Sequence, residues 1–447
     1  MQFFKLLDKF VLDQVPCMLL KGYAGTGKTS VISALVKALP FFKRKSMLLA
    51  PTGRAAKVMS LYAQKSAFTV HKVIYSQVAA PDSESLEFKR QKNYSKDTIY
   101  IVDEASMLTD EADFGRVGLL TDLFRYVFED PSNQLILVGD DAQLPPVGKE
   151  NSPALSREHL MSVYKKEVIE AQLTEVVRQE SESGILDNAT HLRNLLNKQQ
   201  FDIKFNTASY KDIYKMTSEK LEDGLRYAYD KYGVENTTII CRSNRNAVQY
   251  NHFIRRSIHF SENEIEAGDF LMIVKNNYHY QPTDTKSGFL ANGDFVEVVK
   301  IVRFEQMYGL NFADLVLRLT DYPNQEPFEA KVILNTLHSY TPSLPSEEYA
   351  KLYQAVREDY LHADIRSPKE MKEKLKQDAY LNALQIKFAY ALTCHKSQGG
   401  QWNAVFVDQG YLIDEMVDRS YVRWLYTAVT RATDELFLVN FNANFFY

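Results

Sequence analysis

Cysteine is nearly absent from the chain. The three thiols, Cys17, Cys241 and Cys394, are far apart and odd in number among 447 residues. They offer neither a paired metal-ligand motif nor a disulfide framework, which argues against a zinc module or a stapled secreted domain and for a reducing cytoplasm. Long apolar runs are missing too. No stretch approaches the roughly 18 residues of a membrane span. The first twenty residues alternate Phe and Leu with Lys and Asp, unlike a signal peptide. Low-complexity tracts and internal repeats are lacking. So is an overall excess of basic charge: 53 Lys+Arg stand against 57 Asp+Glu, a net −4. Taken as one number, that balance argues against a polyanionic partner.

What is present is an ordinary globular composition, 45% apolar and 25% charged. It leaves disorder, collagen and coiled coil without support. At about 150 residues per domain the length suggests about three domains. The charge is unevenly spread. Residues 1–100 hold 16 Lys/Arg and 6 Asp/Glu, a balance of +10, and residues 101–150 hold 3 and 11, a balance of −8. Asymmetry of this kind points to polyanion binding as readily as to incidental variation of solvated faces.

Phe3, Leu6, Leu7, Phe10 and Val11 recur at helical spacing and predict an opening amphipathic helix. Two strand–loop–helix units follow. The apolar run Cys17 to Leu20 leads into GYAGTGKT, and the run Met47 to Ala50 leads into PTGRAAK. Further strands are expected at Thr98 to Val102 and Leu135 to Val138. Short apolar strands alternating with helices indicate a buried parallel sheet whose C-terminal edge carries the site. The pattern returns near Thr238 to Cys241, Ala389 to Thr393, Ala404 to Val407 and Leu436 to Val439, a second α/β lobe. Alternation from Phe295 to Leu319 predicts a small β-barrel, and the charged stretch from Pro345 to Asp378 predicts helices.

Gly22-Tyr23-Ala24-Gly25-Thr26-Gly27-Lys28-Thr29 fits G-x-x-x-x-G-K-[ST] between a strand and a helix. Its glycines let backbone N–H groups converge on phosphate oxygens, with Lys28 on the β/γ-phosphates and Thr29 on Mg²⁺. Ile101-Val102-Asp103-Glu104 is an apolar strand ending in two carboxylates. After a P-loop, Asp103 is expected to hold Mg²⁺ and Glu104 to orient and deprotonate the attacking water. Gln143, in Gly139–Val147 after the next strand, is placed to sense the γ-phosphate.

GYAGTGKT, APTGRAA (Ala50–Ala56), TVHK (Thr69–Lys72), DEAS (Asp103–Ser106), GDDAQLPPV, LTEVVRQ (Leu173–Gln179), LTCHKSQGGQW (Leu392–Trp402) and LYTAVTRA (Leu425–Ala432) stand in that order. Together they resemble the superfamily-one DNA helicases, in particular the RecD/Dda-like 5′→3′ branch, over about residues 2–440. The resemblance implies an α/β fold of two RecA-like P-loop lobes, the second with a UvrD-like C-terminal region. It implies a first lobe at 1–200 with a β-hairpin pin inserted at 72–96. The second lobe would be 201–259 with 386–447, interrupted at 260–385 by an SH3-like barrel and a helical insertion. It implies ATP and Mg²⁺ as cofactors and adds Arg178 and Arg431 as cations on the γ-phosphate and Gln398 as an ATP-coupling residue. Pro51, Thr52, Thr69, His71, His395, Lys396 and Ser397 would line the single-strand channel, and Phe88 would be the aromatic of the pin. The expected partners are single-stranded DNA, single-strand/duplex junctions and partner proteins of replication, repair or recombination, with no membrane and the protein a monomer. The adenine-reading Gln that the family carries upstream of its P-loop has only Gln2 and Gln14 as candidates.

Three other readings stay open on sequence. An RNA helicase of the same superfamily would use the same backbone contacts. An ATP-regulated nucleic-acid remodelling module would share the motifs without separating strands. A P-loop ATPase that binds no DNA is disfavoured by the elements at Thr69–Lys72 and His395–Ser397.

Overall fold

The computed structural model describes residues 2–78, 87–111, 117–175, 183–277, 279–280, 290–320, 322, 325–363, 365 and 367–447. The chain divides into two compact units, one of residues 1–75, 90–221 and 394–447, the other of residues 76–89 and 222–393. The expected lobes cut the chain elsewhere, at 200 and 386.

The first unit is built on a six-stranded parallel sheet. Its order is Ala67–Thr69, Lys45–Ala50, Thr98–Val102, Gln134–Gly139, Cys17–Gly22, Val168–Leu173. The strands Thr98–Val102 and Gln134–Gly139 are buried at every residue, as a sheet covered on both faces requires. Alternate residues feed two cores. Cys17, Leu19, Tyr100, Val102, Leu135 and Leu137 pack with the helix Leu119–Val127. Met18, Leu20, Ile99, Ile101, Ile136 and Val138 face the opposite layer, where Phe10 of the helix Gln2–Leu12, Ile32 of Lys28–Ala38 and Met59 of Gly53–Ala63 meet them. The opening helix is therefore as its spacing predicts. The edge strand Val168–Leu173 had no clear apolar run in the sequence.

A second parallel ladder in this unit joins Trp402–Asp408, Ala432–Val439 and Ile213–Met216. Phe406 and Phe437 stack between neighbouring strands, with ring centroids 4.4 Å apart. The helix Arg419–Val429, capped by Asp418 accepting from Tyr421 N–H, links the first two strands.

In the second unit Thr237–Cys241 pairs in parallel with Ala391–Thr393. The strands Phe270–Ile273, Phe295–Met307, Leu310–Leu319, Phe328–Ile333 and Leu384–Phe388 close into a barrel. Its long hairpin turns at Tyr308-Gly309, both at positive φ (54° and 75°), the geometry a two-residue hairpin turn demands. The helices Ser346–His362 and Pro368–Gln377 pack Leu352, Val356, Met371 and Leu375 beside barrel residues Phe312 and Ile333. The expected barrel and helical insertion are thus present. A two-stranded sheet of Tyr75–Val78 and Glu87–Arg90 forms the expected hairpin within 72–96.

No described helix is long and apolar enough to cross a membrane.

Candidate functional site

The loop after strand Cys17–Gly22 turns through two glycines at positive φ, Gly25 (78°) and Gly27 (80°), a region other residues enter at a cost. Gly27 starts the helix Lys28–Ala38, so Lys28 and Thr29 occupy its first turn, where unpaired N–H groups favour an anion. A Cβ at Gly22 would lie 2.8 Å from Thr26 Oγ1 and 2.9 Å from Lys28 Cγ. Thr26 is buried and its hydroxyl donates to Tyr23 O at 2.8 Å. Lys28 Nζ curls over the loop, donating to Gly22 O (2.7 Å) and Tyr23 O (2.9 Å).

Asp103 and Glu104 follow the buried strand Thr98–Val102, separated from Cys17–Gly22 in the sheet by Gln134–Gly139. Asp103 Oδ1 accepts from Glu104 N–H at 2.8 Å. Burial first, and the Glu104 charge second, raise the Asp103 carboxyl to about 6. Glu104 sits at φ 50°, a left-handed conformation that costs a non-glycine residue free energy and collects at functional sites. Its carboxylate lies 3.7 Å from Arg431 Nη1. Mg²⁺ takes one or two protein oxygens and completes its shell from phosphates and water, and the Asp103 carboxylate and the Thr29 hydroxyl, in the first turn of its helix, are oxygens of that kind. Among the described residues no cluster of three or more His, Cys, Asp or Glu suits a metal held by protein alone.

Gln143 follows the next strand. It is 5% exposed, and its Oε1 has no partner among the described residues. The adjoining peptide is held at both ends: Leu144 N–H donates to Thr427 Oγ1 and Gln398 Nε2 donates to Leu144 O, each at 2.8 Å. Asp140, 1% exposed, accepts from Ala142 N–H (3.0 Å) and from the Tyr426 hydroxyl (2.7 Å). Burial raises its carboxyl above the usual range, opposed by the nearby Lys28 charge. Arg431 is 4% exposed. Its guanidinium donates to Thr427 O (3.1 Å), Gly400 O (3.3 Å) and Thr430 Oγ1 (3.3 Å), which fixes it beside Glu104. Arg178 lies outside the described residues.

The expected strand contacts also converge. Register pairs Ala50 with Thr69, so the loops after these two strands emerge side by side. Thr52 caps the helix Gly53–Ala63 by accepting from Ala55 N–H (3.2 Å), and Thr69 caps Val70–Ile74 by accepting from Lys72 N–H (3.3 Å). Each hydroxyl keeps its own hydrogen to donate. Pro51 is partly exposed just ahead of the first cap. Gly399, at φ 74°, backs so closely onto this cap that a Cβ there would lie 2.7 Å from Ala55 Cβ. Arg54 lies over the Trp402 ring at 4.1 Å and donates to Gln401 O at 3.0 Å. The segment 395–402 therefore sits on the first-lobe helix. His395 and Lys396 are partly exposed, whereas Ser397 is fully buried and donates to Cys394 O at 2.8 Å, shaping the turn that presents them. Burial pushes the His71 imidazole down to about 4 and the Lys396 ammonium down to about 8. Phe88 lies on the hairpin strand Glu87–Arg90, and its side chain is outside the described residues. Gln14 is exposed at the end of the opening helix with φ 54°; the Gln2 side chain is not described.

Sequence reasoning assigned no role to Asp140, Tyr426 or Thr427, although all three lie inside its motifs. The available signal was spacing: Tyr426 and Thr427 precede Arg431 by five and four residues, about one helical turn.

Residues 5–204 match the AAA domain family and residues 388–439 the UvrD-like helicase C-terminal domain family. An uncharacterised protein of Acanthamoeba polyphaga mimivirus is 23% identical, over 97% of each chain. The ATP-dependent DNA helicase Dda of phage T4 is 28% identical over 43% of this chain and 41% of its own. The ATP-dependent RecD2 DNA helicase of Deinococcus radiodurans is 30% identical over 40% of this chain and 22% of its own. The alignments thus span less than half of either helicase. Among solved structures, Pif1 helicases described for unwinding at forked duplex DNA superpose with TM-score 0.51 and 16% identity, covering 98% of this chain and 91% of theirs. A Bacteroides Pif1 complex with ADP-AlF3 and single-stranded DNA gives 0.50 and 15%, covering 100% and 94%. The fold is that of two RecA-like P-loop lobes, with a hairpin in the first and a barrel and helices in the second.

Proposed function

We propose that the chain is a superfamily-one helicase of the RecD/Dda/Pif1 type that hydrolyses ATP to move 5′→3′ along single-stranded DNA and open duplex ahead of it, a reading supported by the AAA and UvrD-like C-terminal matches and by the likeness to Dda and RecD2. The observation that carries this reading is the seating of the segment 395–431 on both the P-loop side and the strand-contact side of the first lobe.

Phosphoryl transfer needs positioning and charge neutralisation more than covalent chemistry. Gly22, Gly25, Thr26, Gly27, Lys28 and Thr29 cradle the phosphates. Thr29 and Asp103 would hold Mg²⁺, which would supply charge neutralisation at the phosphate oxygens. Glu104 orients and deprotonates water, its carboxylate 3.7 Å from Arg431 Nη1. Gln143 has an Oε1 without a partner among the described residues, with which to sense that water or the γ-phosphate. Arg431, preset by three hydrogen bonds, and Arg178 stabilise the transition state.

Coupling runs through Gln398. The residue next to the turn that presents His395 and Lys396 grips Leu144 O, beside Gln143. A change at the strand is thereby felt at the γ-phosphate sensor, and the reverse, provided each ligand binds the two arrangements differently. Pro51, Thr52, Thr69, His71, His395 and Lys396 contact the DNA backbone, with Ser397 holding their turn, and read no sequence. Phe88 stacks at the junction as the wedge.

We retain the division into 1–200, 201–259 with 386–447, and 260–385 as the functional lobes and insertion, and a monomer as the working state. Three buried cysteines that form no disulfide support the cytoplasm. DNA repair or recombination is the setting suggested by the family resemblance. The RNA reading is less favoured because the named relatives are DNA helicases. Lys28→Ala is expected to abolish ATP hydrolysis stimulated by single-stranded DNA; retained turnover would overturn the site.

A further inference from the structure

The helix Arg419–Val429 delivers two adjacent buried hydroxyls to the nucleotide loops. Tyr426 spends its single hydrogen on Asp140 Oδ2 at 2.7 Å and accepts from the Ala24 N–H of the P-loop at 2.9 Å. Thr427 donates to Arg423 O and accepts from Leu144 N–H, both at 2.8 Å. The loop bearing Gln143 is consequently tied at Asp140 on one side and at Leu144 on the other. Only Tyr426 reaches the P-loop as well. Its ring is 1% exposed, so no water competes for the oxygen, and Asp140 is buried with it. A buried carboxylate stripped of a donor relaxes toward whatever donor or water it can reach, moving the loop that carries it.

We propose that Tyr426 is a positioning residue for ATP hydrolysis: its hydroxyl fixes the P-loop at Ala24 against the Gln143 loop at Asp140. The γ-phosphate held by one loop then meets the sensor and water carried by the other. This rests on the ATPase reading above and deepens it, because the tie comes from the segment that also carries Gln398 and Arg431. The tie joins protein groups alone. Its effect belongs to the transition state, where loop registry is most demanding.

Tyr426→Phe keeps the ring and removes both bonds. The expected result is a fall in kcat on the order of tenfold with KM for ATP nearly unchanged, the signature of lost transition-state stabilisation. Affinity for ADP with aluminium fluoride should fall by a similar factor while affinity for ADP alone holds. Asp140→Ala removes the acceptor, and the double variant should lose no more than the worse single, as residues acting through one contact do. Wild-type kcat in Tyr426→Phe, a lower melting temperature with unchanged kcat per folded molecule, or losses that multiply in the double variant would each overturn the proposal. If Tyr426→Phe does not fold, Asp140→Asn, which keeps an acceptor, must recover most of the kcat lost in Asp140→Ala; equal loss in both overturns it. A wild-type protein without DNA-stimulated ATPase would instead overturn the functional reading.

Discussion

At His71 and Lys396, burial shifts the charge these side chains carry near neutrality. With its imidazole at about 4, His71 is neutral at pH 7 and offers a phosphate a hydrogen bond rather than a charge. Lys396, lowered to about 8, is a cation at pH 7 and largely uncharged at pH 9. A bound phosphate favours the charged form, so affinity belongs to the acid side of that value. Single-strand affinity measured by fluorescence anisotropy at fixed salt should therefore weaken several-fold from pH 7 to pH 9. Lys396→Arg, which stays charged throughout, should flatten that dependence. An unchanged slope in the variant would remove Lys396 from the contact set. Asp103 is the counterpart on the nucleotide side: burial raises its carboxyl, and the cations around it draw it back toward the ionised form that Mg²⁺ requires.

Among elements, the hairpin Tyr75–Val78/Glu87–Arg90 carries the proposed wedge and the helix Arg419–Val429 the proposed tie. For the hairpin, Phe88→Ala should impair strand separation more than ATP hydrolysis, compared by strand-displacement and phosphate-release assays; equal loss of both would argue against a wedge. Stacking lost from one base is worth about 1–3 kcal/mol. The basic, aromatic run marked an insertion in the strand–helix alternation, but the hairpin itself was expected only through the family resemblance. Strands buried on both faces, such as Thr98–Val102, were plain because their apolar runs are unbroken. Val168–Leu173 and Ile213–Met216 were not, since VIEAQL and IYKM mix polar residues into positions at the edge of their ladders. The P-loop, Asp103, Glu104 and Gln143 could be read locally, because each follows a recognisable strand. The ties made by Tyr426 could not. They join residues 286 and 402 positions apart, and no local pattern encodes such a meeting.

For the whole molecule, a net charge of −4 conceals the distribution that matters. The +10 stretch contains the P-loop, the proposed strand contacts at Pro51–Thr52 and Thr69–His71 and the basic hairpin, while the −8 stretch contains Asp103, Glu104 and Asp140. A groove responds to its local field, so an acidic chain can hold a polyanion. The central claim is directional motion: ATP-driven movement 5′→3′ that ends in separated strands. It is tested most directly by offering the protein and ATP two partial duplexes, one with a 5′ single-stranded tail and one with a 3′ tail, and measuring strand displacement with ATP hydrolysis as the control. The expected result is opening of the 5′-tailed substrate only; opening of the 3′-tailed one alone, or ATP hydrolysis with neither opened, would contradict the account.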